Sequence, residues 1–236
     1  MAGLRKLAFC LGALAAMTAG QVGAEGGRSP VVVELYTSQG CSACPPADAL
    51  MNELSGEDGV IALALHVDYW DYIGWKDTFA NPAHTQRQKA YARAAGEKMV
   101  YTPQMVVNGR ERIVGVDAAG LARILKAEGQ GSGPALAMTR SGTRIEVRAE
   151  PATIPPGSVV QVVRYIPLAS VQIERGENAG RTILYSNVVT GWQAVAEWDG
   201  RSPLYLVADV PAEMGVAVLL QAPGPGPILA AVARED

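Results

Sequence analysis

The sequence predicts an α/β domain followed by a small antiparallel β module. An apolar strand pattern at Val31–Thr37 leads through a short turn into a helical pattern at Pro45–Leu54, and a second apolar run follows at Val60–Val67. Uninterrupted apolar runs are typical of strands buried on both faces of a sheet. From Ala135 on, short strand patterns alternate with turn signals, which is typical of a β sandwich.

The first 24 residues have the pattern of a secretory signal peptide. Arg5 and Lys6 precede an apolar run from Leu7 to Ala19, and small residues lead up to Ala24. That run is shorter than the ~20 residues that span a bilayer, so we expect cleavage after Ala24. The sequence therefore predicts a periplasmic or secreted protein with no membrane span in its mature form.

Removal of the signal peptide changes the charge and the cysteine count. Two positive charges leave, which takes the formal net charge from −3 to −5, and so acidic a chain is not expected to bind nucleic acid. Cys10 leaves as well, so that Cys41 and Cys44 remain. A disulfide that closes so short a loop adds little stability in the chain-entropy account. This favours a chemical role for the pair.

The segment Cys41-Ser42-Ala43-Cys44 stands between the first strand and the first helix. A helix start offers unpaired N–H groups and a partial positive charge, and both lower the pKa of a cysteine thiol. We therefore predict thiol–disulfide exchange with protein or peptide thiols, in which Cys41 attacks and Cys44 resolves. No cofactor beyond this redox-active disulfide is expected.

Two alternatives remain open for the dithiol. Two thiolates suit Cu(I), a soft ion, and His66 or Met105 would supply a further ligand. A structural zinc site requires four ligands, whereas c-type haem attachment requires a histidine where Pro45 stands. The other alternative is a binding protein in which the β module is the functional half and the dithiol is a structural staple.

A second informative stretch begins at Thr102-Pro103. It continues into a short strand, and Asn108-Gly109 predicts a hairpin turn that leads to a strand at Arg112–Val116. A final helix is predicted at Ala118–Lys126. Beyond the linker 129–134, the predicted strands are Ala135–Thr139, Arg144–Ala149, Ser158–Ile166, Thr182–Thr190, Trp192–Glu197, Leu204–Val210 and Ala217–Gln221.

This order of motifs resembles the thioredoxin superfamily over Val31–Lys126. The resemblance implies that Pro103 is cis and faces the dithiol, with Thr102 beside it at the substrate. It also implies a thioredoxin-like domain at residues 25–130 with an insert at 68–99, followed by the β module at 131–236. The segments VELYTSQGCSACPPAD, HVDYWDYIGWKD, TPQMVVNG, RGENAG and LYSNVV are more closely similar to the exported bacterial family known as domain of unknown function 1223.

Three titratable residues are further candidates. Glu34 lies on the first strand, where a buried carboxyl would have a raised pKa and would take the proton of the resolving thiol, as thioredoxins do. An exposed or ion-paired Glu34 is the alternative. His66 and Asp68 lie at the end of the second strand, where open α/β sheets bind ligands, although a structural histidine is the alternative for His66.

The insert begins with a group of aromatic residues. They either line a peptide groove beside the sulfurs or anchor the insert against the β module. These residues are Tyr69, Trp70, Tyr72 and Trp75. Arg175, Glu177 and Asn178 fall in a polar turn for which the sequence predicts no chemistry.

Overall fold

The structure is a computed structural model that describes residues 29–128 and 133–234. The predicted signal peptide at residues 1–24 lies outside the described residues. Across the described ranges, no helix is both long enough and apolar enough to cross a membrane. The elements in chain order are β1 (Val31–Thr37), α1 (Pro45–Leu54), β2 (Val60–His66), a 3₁₀ turn (Asp71–Ile73), α2 (Pro82–Ala94), β3 (Gln104–Val107), β4 (Glu111–Val114), α3 (Ala118–Glu128), β5 (Ala137–Ser141), β6 (Arg144–Ala149), β7 (Val159–Gln172), β8 (Thr182–Glu197), β9 (Leu204–Asp209), β10 (Gly215–Gln221) and β11 (Ile228–Arg234).

Eight strands form one mixed sheet in the order β11-β10-β7-β8-β2-β1-β3-β4. β1 and β2 are parallel, β3 pairs antiparallel with β1, and β3 and β4 form the predicted hairpin. Asn108 and Gly109 in its turn have φ values of 47° and 66°, as a two-residue hairpin of this kind requires. The strands β5, β6 and β9 form a small antiparallel sheet. The predicted mixed α/β architecture with a small antiparallel sheet is confirmed.

The sequence predicts a separate β module for the second half of the chain, but of its strands only β5, β6 and β9 form a sheet of their own. β7, β8, β10 and β11 extend the sheet begun by β1 to β4, and β8 joins it through Ala64 of β2 and Val188. The strands predicted at Thr182–Thr190 and Trp192–Glu197 are one strand, because Gly191 continues the ladder opposite Arg164. β11 is not among the strands that the sequence patterns predict.

Helices lie on both faces of the large sheet. Along β1, Val33 and Leu35 pack with α1 and α3, whereas Val32 and Tyr36 point to the opposite face with Tyr91 of α2. This alternation is the ordinary period of a strand. Any buried polar residue on β1 is therefore assigned to one face or the other by its position in the sequence.

The long hairpin β7–β8 extends from the small sheet to the loop before Cys41. The half that is far from its turn lies in the large sheet and packs against the small sheet, where Ile145 and Val147 contact Val160. The half that is near the turn lies against α1, and Ile173 and Tyr185 belong to a small apolar core there. The turn at residues 173–181, here called the hairpin tip, reaches the loop that precedes Cys41.

Candidate redox site

Cys41 and Cys44 form a disulfide in the turn between β1 and α1, with their Cα atoms 5.4 Å apart. Cys44 occupies the N-cap position of α1. Both cysteines are buried, at 3% and 0% exposure, whereas Ser42 and Ala43 between them are exposed. The disulfide therefore lies directly beneath the surface of the turn.

The start of α1 does not supply the free N–H groups that the sequence analysis expects. Pro45 and Pro46 occupy the first two helical positions and carry no N–H group. The N–H groups of Ala47 and Asp48 both donate to the carbonyl oxygen of Cys44, at 2.8 and 3.1 Å. Hydrogen bonds to a thiolate must therefore come from elsewhere, and α1 contributes only the positive end of its dipole.

The Thr102–Pro103 peptide bond is cis, as the resemblance implies. Gln104, the next residue, pairs with Tyr36 near the end of β1, so Pro103 lies at the sheet edge where the chain turns toward Cys41. The Thr102 hydroxyl accepts a hydrogen bond from the indole N–H of Trp70 at 2.7 Å. Trp70 in turn lies beside Gly40. The structure thus brings these predicted residues to one edge of the sheet.

Asp48 is a buried acid one helical turn after Cys44. Residues four apart lie on the same face of a helix, and both side chains point into the protein. Burial raises the pKa of Asp48 to about 7, against the opposing effects of His66 and of a 2.8 Å hydrogen bond donated by the Thr37 hydroxyl. The sequence patterns do not single out Asp48, although its spacing of four residues from Cys44 indicates that the two side chains share a helix face.

Asp48 belongs to a buried group that we call the α1-side cluster. Its members are Thr37, Asp48, His66, Asp77 and Tyr185. His66 Nδ1 lies 2.7 Å from Asp77 Oδ2, which also accepts the backbone N–H of Gln39 at 2.8 Å. Three buried polar atoms, Asp48 Oδ2, His66 Nε2 and Tyr185 Oη, have no hydrogen-bond partner among the described residues.

Glu34 lies on the opposite face of the sheet, which contradicts its predicted place beside the dithiol. Its carboxylate accepts from Arg87 at 2.6 and 2.9 Å, from Tyr91 at 2.7 Å and from Tyr36 at 3.0 Å. Arg87 also donates to Gln221 at 3.2 Å. The ion-paired alternative is therefore the observed one. We call this group, Glu34, Tyr36, Arg87, Tyr91 and Gln221, the α2-side cluster.

Ionisation in the α2-side cluster is fixed by the ion pair. Burial is the largest single influence on Arg87 and lowers its pKa, but the charge and hydrogen bond of Glu34 together with Tyr91 and Tyr36 outweigh it, so that the pKa of Arg87 is raised. Burial and the nearby Glu34 charge raise the pKa of Tyr36 and of Tyr91. Arg87 and the two tyrosines therefore stay protonated at neutral pH, which is typical of a structural site.

The aromatic residues of the insert occupy different places. Trp75 packs beside the small apolar core under the hairpin β7–β8 and donates its indole N–H to Gln39 at 2.8 Å. Tyr69 packs on the α2 side and donates to Gln88 at 3.1 Å. Asp68 accepts a hydrogen bond from Thr85 of α2. Of the aromatic residues predicted to lie near the sulfurs, Trp70 and Trp75 thus adjoin the loop before Cys41.

The hairpin tip contributes a residue that sequence reasoning missed. The side-chain amide of Asn178 donates to the carbonyl oxygens of both Gln39 and Cys41, each at 2.9 Å. Asn178 lies 137 residues from Cys41 in the chain, and no local pattern connects the two. The only signal was the segment RGENAG itself.

Metal ligands do not converge within the described part of the chain, where no group of three or more His, Cys, Asp and Glu is placed to hold an ion. Met105, a ligand in the Cu(I) alternative, lies in the apolar core with α1 and α3.

Comparisons with known proteins place the chain in a family. Residues 32–221 match the family described as "Protein of unknown function (DUF1223)". A crystal structure of an Agrobacterium tumefaciens protein from structural genomics is 34% identical, covers 86% of this chain and 92% of its own, and has a TM-score of 0.73. HBP35 of Porphyromonas gingivalis is 16% identical, covers 88% and 75% respectively, and has a TM-score of 0.60, which shows a similar fold alone. A search of curated proteins finds no match. The chain therefore belongs to the DUF1223 family, as its sequence motifs predict.

Proposed function

We propose that the chain is an exported bacterial thiol–disulfide oxidoreductase with a thioredoxin-like core, acting on protein or peptide thiols. The observation that carries the proposal is the Cys41–Cys44 disulfide at the start of α1, at the same sheet edge as cis-Pro103. A buried carboxyl one turn behind Cys44 adds to it. The disulfide is the redox group, and no further cofactor is part of the proposal.

The exchange proceeds in two steps that balance. In the reducing direction, the Cys41 thiolate attacks one sulfur of a substrate disulfide, the substrate S–S bond breaks, and one substrate thiolate leaves. Cys44 then loses its proton and attacks the Cys41 sulfur, which releases the second substrate thiolate. Two electrons pass to the substrate, and the Cys41–Cys44 bond is formed. The reverse sequence oxidises a substrate dithiol.

Asp48 is the proposed proton acceptor in the second step. A general base works best when its pKa is near the working pH, and burial raises the pKa of Asp48 to about 7. Its position one turn after Cys44 places the carboxyl on the side of the resolving thiol. Asp48, and not Glu34, is therefore the residue to which we assign the role of proton acceptor.

The same proposal covers the organisation of the chain. The thioredoxin-like part is assigned to residues 25–130, with the segment 68–99 as its insert, and residues 131–236 are assigned to an extension. Of its strands, β7, β8, β10 and β11 continue the large sheet, whereas β5, β6 and β9 form the small one. Trp70 and Trp75 adjoin the loop before Cys41, and Thr102 is hydrogen-bonded to Trp70. These three residues are the proposed contacts for a substrate chain.

Trapping a mixed disulfide tests the proposal. In Cys44→Ser, the second step is blocked, so incubation with oxidised glutathione is expected to leave one glutathione on Cys41, as measured by intact-protein mass. Cys41→Ser is the matched control and is expected to acquire less glutathione, because Cys44 at the helix start has no exposed surface whereas Cys41 retains 3% exposure in the turn. Equal labelling of the two variants, or no labelling of either, would refute the assignment of Cys41 as the nucleophile.

A further inference from the structure

The hairpin tip carries one buried polar side chain among exposed ones. Glu174, Arg175, Glu177 and Arg181 are exposed, whereas Asn178 is only 1% exposed. The turn around it is held by its own backbone hydrogen bonds, including Gly180 N–H to Ile173 carbonyl at 2.8 Å. The tip therefore presents Asn178 in a fixed position.

Asn178 acts on the loop that carries the attacking cysteine. Both of its N–H donors are used on carbonyl oxygens of that loop, at Gln39 and Cys41. The same loop is held from the insert, because Asp77 accepts the Gln39 N–H at 2.8 Å and Trp75 donates to the Gln39 side chain. Two segments far apart in the chain thus fix the backbone immediately before the disulfide.

These hydrogen bonds have an electrostatic consequence. A carbonyl oxygen carries partial negative charge, and a carbonyl of Cys41 itself lies close to any charge on the Cys41 sulfur. Donors bound to such carbonyls offset that negative charge and so favour the thiolate. The effect matters more here than in a helix start with free N–H groups, because Pro45 and Pro46 remove those donors.

We propose that Asn178 is a positioning residue of the dithiol, which fixes the Gln39–Cys41 loop and stabilises the Cys41 thiolate. This rests on the proposed exchange function, and it goes beyond it by making the β7–β8 hairpin part of the redox site. The hairpin tip is then required for the acidity of the thiol.

The test uses Asn178→Leu, which keeps about the size of the side chain but removes both donors without adding a charge. The rate of Cys41 alkylation by iodoacetamide is measured against pH in the Cys44→Ser background, so that the midpoint gives the thiol pKa and the plateau gives its accessibility. The midpoint is expected to rise by about one pH unit, which is a tenfold loss of thiolate below it. Glu177→Gln, at the exposed neighbouring position, is the matched control and should leave the midpoint unchanged.

Asn178→Ser keeps one donor and is expected to shift the midpoint in the same direction by less. It also serves if the leucine variant does not fold. A change in the plateau with no change in the midpoint, in every folded Asn178 variant, overturns the inference. That result leaves the exchange function intact, whereas a Cys44→Ser protein with Asn178 unchanged that captures no glutathione on Cys41 refutes the exchange function itself.

Discussion

Two buried polar clusters lie on opposite faces of the same sheet, and they differ in how completely they are satisfied. In the α2-side cluster, the Glu34 carboxylate accepts four hydrogen bonds, and Arg87 also lies over the Trp192 ring at 3.7 Å. In the α1-side cluster, three buried polar atoms have no partner among the residues described. Both clusters contain acids next to bases, so composition alone does not separate them.

The difference indicates which cluster is available for chemistry. A fully paired buried charge holds its protonation state and resists change, whereas an unpaired buried carboxyl has a raised pKa and can gain or lose a proton near neutral pH. The first arrangement fixes α2 to β1. The second places a titrating acid behind Cys44, at the edge where the disulfide lies.

The largest expected effect is on stability and comes from the α2-side cluster. Glu34→Gln leaves the buried Arg87 charge without its partner, so the free energy of unfolding should fall by about 3–5 kcal/mol, as measured by urea denaturation. Glu97→Gln is the control, because the Glu97–Arg112 pair is partly exposed and should contribute less than ~1 kcal/mol. A loss from Glu34→Gln no larger than that of the control would show that the two clusters do not differ as claimed.

The second prediction concerns rate and comes from the α1-side cluster. Asp48→Asn should slow attack of Cys44 on the Cys41 mixed disulfide by about 10²-fold at pH 8, because the thiol loses its proton acceptor. Stopped-flow release of glutathione measures this step. When Asp48→Asn is combined with Cys44→Ser, the capture of glutathione by Cys41 should change little, because that step does not involve Cys44. An unchanged release rate would exclude Asp48 as the base.

The smallest expected effect is the pH dependence of stability. The pKa of Asp48 rises on folding from its ordinary value of 3.8 to about 7, so the folded state holds this proton more tightly than the unfolded state. Its contribution is fully present below pH 3.8 and is lost as the pH rises to about 7. Relative to the parent protein, Asp48→Asn should therefore gain on the order of 2 kcal/mol between pH 5 and pH 8. Urea denaturation of the oxidised proteins measures the difference, and a constant difference would contradict the raised pKa.

Local patterns predicted much of the fold near the dithiol. β1, the first helix and the turn at Asn108-Gly109 each depend on neighbouring residues, so the sequence carries the information directly, whereas the cis state of Pro103 was implied only by the family resemblance. The joining of β8 to β2 depends on pairing between Ala64 and Val188, which no local pattern encodes. This is why the later strands were expected in a module of their own.

The error at Glu34 has the same origin. Glu34 and Asp48 are both acids near the CxxC segment, and the sequence does not show that Arg87 and Tyr91 approach one of them from α2. Alternation along β1 was the available signal, since Glu34 shares a face with Val32 and Tyr36. The role of Asn178 is harder still to predict from the sequence, because its contact with Cys41 exists only once the β7–β8 hairpin has folded over α1.

Reversible redox cycling of the Cys41–Cys44 pair is the claim on which the account depends, and its midpoint potential tests it most directly. The intact protein is equilibrated in glutathione buffers, and the fraction of free thiol is measured by alkylation and mass. We expect a two-electron transition between roughly −270 and −120 mV, the range of thioredoxin-type exchange proteins. A potential below about −300 mV, which is typical of structural disulfides, would contradict the account.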